Sequence, residues 1–268
     1  MKLTLLGTGN AMVSECYNTC FIIEDMGRLL MVDGGGGNGI FKQLKRAGFD
    51  FANIHEIIIT HKHIDHILGV VWMVRLVAQN IKNGRYTGSL KIYGHAEVID
   101  LLRNICTVLL QKKQCEYFDD KIIFVKVNDA ETVIINDRKV KFFDIRSTKA
   151  KQFGFCLEYE NGKKLTCCGD EPYNECERAY AEGSDWLLHE AFCLHGQADV
   201  FKPYEKHHST VKDACELAEK LQVKNLILYH TEDKNIKSRK ELYTAEGKQY
   251  FRGNIYVPDD LEVINIFS

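Results

Sequence analysis

Apolar positions recur along this chain with two different periods, which predict an alternation of strands and helices. Short apolar runs bounded by turn residues predict strands at 2–6, 20–24 and 29–32, and helical spacing predicts a helix over 40–47. Further strands are predicted at 56–59, 90–93, 122–127, 132–135, 140–145, 154–159, 164–168, 186–189 and 225–229, and further helices at 68–80, 96–110, 211–221 and 239–246. Strands in runs, followed by strands that alternate with helices, predict an α/β fold of two sheets with helices packed outside them.

The composition marks no domain boundary. The 268 residues include three prolines and no Ser- or Gly-rich linker, so we expect a single domain over residues 1–268. Hydrophobic residues make up 45% of the chain and charged residues 27%, which are ordinary values for a soluble globular protein. The formal net charge of −2 argues against a general nucleic-acid coat protein, although it is compatible with a local basic patch.

The apolar runs are too short for a membrane protein. The first run, 3–6, is interrupted by Gly7, and no run approaches the roughly 18–20 apolar residues that span a bilayer. Ten cysteines are scattered through the predicted strands and helices, which favours free, buried thiols in a reducing compartment. We therefore expect a cytoplasmic protein that makes no contact with a membrane.

Four side chains that bind metals fall within six residues directly after the predicted strand 56–59. They are His61, His63, Asp65 and His66, on a segment, 60–66, that we expect to be a loop. Imidazole nitrogens and carboxylate oxygens suit zinc, iron or manganese. Two more candidates, Asp170 and His230, each follow the end of a predicted strand.

A run of glycines, 34–37, also follows a strand and precedes a helix. Neither the phosphate-loop motif nor the dinucleotide-binding spacing is present in it. We therefore expect a tight turn that lets the backbone pass close to the site.

The spacing His-x-His-x-Asp-His resembles that of the metallo-β-lactamase superfamily. Several segments are similar to those of its ribonuclease Z branch: Leu6-Gly7-Thr8-Gly9, Val32-Asp33-Gly34, Gly169-Asp170, His189-Glu190-Ala191-Phe192, His208-Ser209-Thr210 and Tyr229-His230. The resemblance implies an αββα sandwich of two mixed β-sheets flanked by helices, and a centre that holds two divalent transition-metal ions. Zinc is our first choice for them, with manganese or iron as alternatives. The implied ligands are His61, His63, Asp65, His66, Asp170 and His230.

The sequence departs from the family pattern at one position. Where the superfamily usually has a third histidine for the first metal, this chain has Arg146. A guanidinium has no lone pair to give a metal. Arg146 therefore either marks a lost ligand, which leaves the first site weak, or binds a substrate phosphate.

The resemblance also implies a reaction. We expect a metal-activated hydroxide to attack a phosphodiester, with Asp65 orienting or deprotonating the water. His208 is the expected proton donor to the leaving group, and Glu190 would orient its ring and favour its charged form. His207 is expected to be a surface residue.

The substrate class stays open between an RNA end and a small phosphodiester. Ribonuclease Z carries an arm that grips transfer RNA, but here Asn161-Gly162 predicts a tight hairpin at the corresponding place, so we expect no arm. Two alternatives remain: a thioester, lactone or lactam hydrolase on the same metals, and a degenerate metal-binding or ligand-sensing protein without enzymatic activity. A homodimer is allowed but not required.

Overall fold

The computed structural model describes residues 1–267 and divides into two compact units. Unit 1 comprises residues 1–7, 17–128 and the stretch from 260 onward; unit 2 comprises residues 8–16 and 129–259. Each unit contains one seven-stranded mixed sheet within the described part of the chain. The expectation of a single domain over 1–268 stays a prediction.

The elements are given in chain order. They are β1 (Lys2–Gly7), β2 (Cys20–Asp25), β3 (Arg28–Val32), α1 (Gly39–Ala47), β4 (Ile54–Ile58), α2 (Ile64–Lys82), β5 (Leu90–His95), α3 (Ala96–Leu109), α4 (Lys112–Cys115), β6 (Ile122–Val127), β7 (Thr132–Ile135), β8 (Arg138–Asp144), β9 (Phe153–Glu158), β10 (Lys164–Cys167), α5 (Arg178–Ala181), β11 (Trp186–Glu190), α6 (Ala198–Phe201), α7 (Val211–Lys220), β12 (Asn225–Tyr229), α8 (Arg239–Gly247), β13 (Asn254–Tyr256) and β14 (Val263–Asn265). Short 3₁₀ helices occupy Phe51–Asn53, Glu160–Gly162, Glu175–Glu177, His195–Gln197 and Tyr204–Lys206.

The sheet of unit 1 has the order β14-β1-β2-β3-β4-β5-β6. Its first part is antiparallel, whereas β3, β4, β5 and β6 run parallel, with Val32 of β3 paired with Ile58 of β4. One core cluster joins strand residues such as Met31 and Ile57 to Val74 of α2 and Leu102 of α3. Parallel strands covered by helices bring the carboxyl ends of β3 and β4 to one edge of the sheet.

The sheet of unit 2 has the order β13-β12-β11-β10-β9-β8-β7. The strands β10, β11, β12 and β13 are parallel, and the others are antiparallel. A second core cluster packs Leu187 and Leu226 of the sheet with Ala214 of α7 and Tyr243 of α8. The carboxyl ends of β10, β11 and β12 therefore also share one edge.

The sequence predicted most of these elements, but the segment around the histidine motif differs. Residues 64–66 are not a loop, because α2 begins at Ile64 and places Asp65 in its first turn. The reason is local: His63 adopts an extended conformation as the N-cap residue, and a carboxylate in the first turn interacts favourably with the helix dipole. The three-residue edge strands β13 and β14 were not predicted, because runs that short carry no readable period.

The predicted hairpin between β9 and β10 is confirmed as a tight connection. The two strands pair antiparallel, with Lys164 opposite Glu158. Asn161 and Gly162 both have positive φ angles, 58° and 73°, which these residue types tolerate. No segment long enough to form an arm lies between these strands.

Helix α2 is long and apolar enough to cross a membrane by length and composition, with a mean hydropathy of 1.2. However, 61% of this stretch is buried inside the protein, and residues such as Val70, Met73 and Val74 are fully covered. Burial to this extent is typical of a helix in a protein core.

Candidate active site

The first cluster lies in unit 1, between the end of β4 and the first turn of α2. His61, Asp65 and His66 are all buried, with at most 4% of each residue exposed. The ring Nε2 of His61 lies 2.8 Å from Nδ1 of His63. The ring centroids of His61 and His66 are 4.2 Å apart. The predicted histidine cluster of unit 1 is therefore brought together in space.

A buried carboxylate on the neighbouring strand fixes these rings. Asp33 follows β3 with a φ angle of 56°, and it accepts hydrogen bonds from the Thr60 backbone N–H (2.9 Å) and the Thr60 hydroxyl (2.8 Å). Its Oδ2 also lies 2.8 Å from Nδ1 of His66. The sequence showed Asp33 only as part of a resembling segment and assigned it no role.

This network determines which ring nitrogens can bind a metal. Because an ionised carboxylate only accepts, Nδ1 of His66 carries the proton and its Nε2 keeps the lone pair. The Thr60 hydroxyl gives its proton to Asp33, so it accepts from Nδ1 of His61, 2.9 Å away. The lone pair of His61 is then also on Nε2. Carboxylate-oriented imidazoles of this kind are the usual arrangement of metal-binding histidines.

The donor set of this cluster fits a divalent transition metal. The lone pair on Nε2 of His66 faces Oδ2 of Asp65 at 3.4 Å, so two electron-rich atoms converge. A shared cation stabilises such a pair, and nitrogen with oxygen ligands suits zinc, manganese or iron.

Glycines let α2 come close to the end of β3, as the sequence predicted. The Gly34 N–H donates to the His66 carbonyl (3.0 Å), and the Gly69 N–H donates to the Gly35 carbonyl (2.8 Å). A Cβ atom on Gly69 would lie 1.7 Å from the Gly34 carbonyl oxygen, so a larger residue would force the helix away.

The second cluster lies in unit 2, at the shared edge of three parallel strands. Asp170 follows β10 through Gly169, whose φ angle is 82°, and His230 follows β12 directly with a φ angle of 57°. Oδ2 of Asp170 lies 3.4 Å from Nε2 of His230, and both residues are 3% exposed. Burial raises the pKa of Tyr229 well above its usual value, so its hydroxyl stays protonated and donates to the Gly169 carbonyl at 2.5 Å. This bond holds the two strand ends together.

The expected acid–base pair lies beside this cluster. Nδ1 of His208 is 3.6 Å from Oε2 of the fully buried Glu190, a distance suited to an ion pair but too long for a hydrogen bond. The other oxygen of Glu190 accepts the Ser209 backbone N–H. The His208 ring stacks on Phe192 with centroids 4.9 Å apart, and its centroid lies 5.2 Å from that of His230. Metal-binding atoms of Glu190, His208 and His230 fall within 4.8 Å of one another.

Helix α7 begins three residues after His208, and Thr210 is its N-cap residue. Thr210 and Asp213 form a capping box, in which the Asp213 carboxylate accepts the Thr210 backbone N–H at 2.8 Å and the Thr210 hydroxyl oxygen accepts the Asp213 backbone N–H at 3.4 Å. The predicted start of the helix at residue 211 is confirmed. His207 is exposed, as expected.

Comparison with known proteins assigns the chain to a family. The sequence model of the family described as Anti-Pycsar protein Apyc1 matches residues 1–251. The chain belongs to this family.

Relatives of this Apyc1-family chain include ribonuclease Z of Methanothermobacter thermautotrophicus, 25% identical over an alignment of 314 positions that covers 99% of this chain and 97% of the relative. The metallo-β-lactamase fold protein YhfI of Bacillus subtilis is similar in structure, with a TM-score of 0.78, 16% identity and 98% of both chains covered. Human tRNase Z, short form, has a TM-score of 0.75 and 21% identity, with 100% of both chains covered. The predicted metallo-β-lactamase fold and the ribonuclease Z-like branch are confirmed, and this superfamily of metal-dependent hydrolases implies divalent metal ions.

Arg146 of this Apyc1-family chain is turned towards surface carboxylates. Its guanidinium lies 3.2 Å from Asp129 and 4.0 Å from Asp144, and its side chain is 61% exposed. These contacts do not support a phosphate clamp at Arg146. The interpretation as a lost ligand position stays a prediction.

A cavity of about 370 Å³ opens in unit 2 beside the second cluster. His208 and His230 line it together with Phe192, Met12 and Lys206. Four of its lining residues, 10–13, belong to the loop that follows Gly9, and Asp233 accepts the Ser14 and Glu15 backbone N–H groups of that loop. An apolar cavity beside polar catalytic groups is the common form of a small-molecule site.

Proposed function

We propose that this chain is a metal-dependent phosphodiesterase of the ribonuclease Z-like type, acting on an RNA end or a small phosphodiester. The observation that carries the proposal is the buried Glu190–His208 pair, 3.6 Å apart beside His230. A phosphodiester has a poor leaving oxygen that needs a proton, and an imidazole oriented by a carboxylate can deliver one.

We also propose which residues hold each metal ion. His61, His63 and Asp170 would hold a first divalent ion, and Asp65, His66, Asp170 and His230 a second. Zinc is our first choice, with manganese or iron as alternatives. Such ions, when bound, supply an activated water at neutral pH and offset the negative charge of the phosphate.

Side chains of this protein would then transfer the protons. Asp65 orients the attacking water and accepts its proton. Nε2 of His208 gives a proton to the leaving oxygen, because Nδ1 of that ring faces Glu190. Asp33 keeps the proton of His66 on Nδ1 and so holds the ring in its ligand orientation.

Three observations favour a small phosphodiester over transfer RNA. The chain passes from β9 to β10 through the short Glu160–Gly162 helix, which leaves no arm. The cavity of about 370 Å³ beside His208 has the size of small-molecule pockets. The alignment with the ribonuclease Z of Methanothermobacter thermautotrophicus also extends over 314 positions although this chain has 268 residues, so that relative carries segments without a counterpart here.

The weak first metal site is proposed from Arg146 alone. Losing one imidazole from a three-ligand site lowers its affinity, so the second site should be fuller. Arg146→His should raise the occupancy of the first site, as measured by metal titration. Unchanged stoichiometry and affinity would mean that the third histidine position lies elsewhere. We further propose a cytoplasmic location, and a homodimer is compatible with the proposal.

The test compares substrates on the metal-loaded protein. We expect turnover of bis-p-nitrophenyl phosphate and none of a chromogenic lactam, with the phosphate activity lost in Asp65→Ala. Turnover of the lactam instead would assign the chain to the thioester, lactone or lactam hydrolases. Turnover of neither, despite bound metal, would identify a non-enzymatic metal-binding or ligand-sensing protein.

A further inference from the structure

A lysine ammonium lies beside the candidate proton donor of unit 2. Nζ of Lys149 is 3.5 Å from Nε2 of His208, and it donates to the Lys206 carbonyl at 3.0 Å. Its nearest carboxylate oxygen, on Glu171, is 3.8 Å away, and 27% of the Lys149 side chain is exposed. An ammonium group has three donors, and these contacts leave it loosely paired on a partly open surface.

The turn that carries Lys149 is held by the residue next to Asp170. Glu171 is 5% exposed and accepts the Ser147 hydroxyl at 2.7 Å and the Thr148 backbone N–H at 3.2 Å. The Ser147 hydroxyl oxygen in turn accepts the backbone N–H of Lys149 at 3.3 Å. The position of the ammonium is therefore built into the fold, since a buried carboxylate fixes the backbone that presents it.

The other two cationic side chains of this segment, Arg146 and Lys151, contact groups outside the acid–base pair. Arg146 pairs with Asp129 at 3.2 Å, and Nζ of Lys151 lies over the Phe153 ring, 5.6 Å from its centroid. Lys149 is the one of these three cations that contacts the acid–base pair.

We infer that Lys149 binds a non-bridging oxygen of the substrate phosphate while His208 protonates the leaving oxygen. The inference rests on the proposed phosphodiesterase function. His208 presents Nε2 to the substrate because Nδ1 faces Glu190, and Lys149 lies beside that same nitrogen. A leaving oxygen within hydrogen-bond reach of Nε2 brings the other oxygens of its phosphate within reach of Nζ. The charge of the lysine then selects anionic phosphate esters over neutral esters at this site.

The experiment uses metal-loaded wild-type protein, Lys149→Met, Lys149→Arg and the control Lys151→Met. The probes are inorganic phosphate, measured by calorimetric binding, and bis-p-nitrophenyl phosphate, measured as separate KM and kcat. We expect Lys149→Met to weaken phosphate binding and raise KM by about ten-fold or more, as loss of a charge-assisted hydrogen bond does. Lys149→Arg should recover part of the binding, and Lys151→Met should behave as wild type.

Several outcomes would overturn the inference. These are unchanged phosphate affinity in Lys149→Met, an equal loss in Lys151→Met, or a loss of bound metal that accounts for the weaker binding. If no protein turns over the diester, the proposed function fails. The phosphate-binding comparison still decides the role of Lys149 in that case.

Discussion

The two units build their clusters in opposite ways. In unit 1, the candidate ligands are neighbours in sequence, from His61 to His66, and the single carboxylate of Asp33 orients His66 directly and His61 through Thr60. In unit 2, Asp170 and His230 follow different strands and meet only because those strands are parallel members of one sheet. The first cluster depends on local chain geometry, and the second depends on sheet topology.

This difference has a chemical counterpart. The rings of unit 1 have their protons fixed by hydrogen bonds, which suits ligands that must keep a lone pair on one nitrogen. In unit 2, His208 faces Glu190 at 3.6 Å and Lys149 at 3.5 Å, which suits a group that exchanges a proton. We therefore expect substitutions in the two units to affect different observables.

The largest expected effect of this kind lies in unit 2. His208→Ala should leave the metal content intact and lower the turnover of diesters with poor leaving groups by about 10²–10⁴-fold, the usual contribution of a general acid. The p-nitrophenyl ester should lose less, because its leaving group needs less protonation. Steady-state rates over a leaving-group series measure this.

The exposed neighbour His207 supplies the control, and His207→Ala should match wild type. Equal losses for good and poor leaving groups in His208→Ala would remove His208 from the acid role and weaken the contrast between the units.

A smaller effect is expected in unit 1. Asp33→Asn keeps the shape of the side chain, but it removes the negative charge and replaces one acceptor oxygen by an NH₂ group that cannot accept from Thr60 or His66. Metal affinity should fall by about 10–100-fold, the usual effect of losing an outer-shell carboxylate. Chelator competition measures it, with Asp100→Asn as a matched surface control, since Asp100 is an exposed residue that pairs with Lys126. Unaltered affinity in Asp33→Asn would contradict the orienting role.

The sequence could predict the cluster of unit 1 more directly than that of unit 2. The cluster of unit 1 stands out as a motif because its members are adjacent, whereas Asp170 and His230 were singled out mainly by resemblance. Asp33 and Lys149 were missed as functional residues for one reason. Asp33 acts on residues 27 and 33 positions away, and Lys149 acts on a residue 59 positions away, so no local spacing records either contact.

The strands and long helices were predictable because their apolar periods are clear. The start of α2 was placed too late because the polar residues of its first turn, Asp65 and His66, hide the apolar period there. Those residues are polar because they belong to the candidate site, so local propensity and function disagree at that point.

The smallest effect on the site is expected from Glu177, a carboxyl of unit 2 with no exposed surface. Burial raises its pKa to about 8, despite the Asn174 backbone N–H that it accepts. Its folded pKa lies above the unfolded value, so the stability it contributes is full below about pH 4.5 and is lost as the pH rises towards 8.

Glu177→Gln should abolish the loss of stability that wild type shows as the pH rises from 4.5 to 8. The variant should gain on the order of 2–4 kcal/mol relative to wild type between pH 4.5 and 8, without a change in metal content. Urea unfolding at the two pH values measures the difference, and Glu175→Gln, on the exposed side of the same 3₁₀ helix, is the control. A constant difference across this pH range would mean that Glu177 ionises as a surface carboxyl does.

Elemental analysis measures directly whether the histidine cluster of unit 1 forms a metal centre. Wild-type protein, His63→Ala and Asp65→Ala should be purified without chelator and assayed on bis-p-nitrophenyl phosphate in parallel. We expect a divalent transition metal in wild type, less of it in both variants, and no measurable turnover by either. Wild-type metal content together with wild-type turnover in both variants would contradict this expectation.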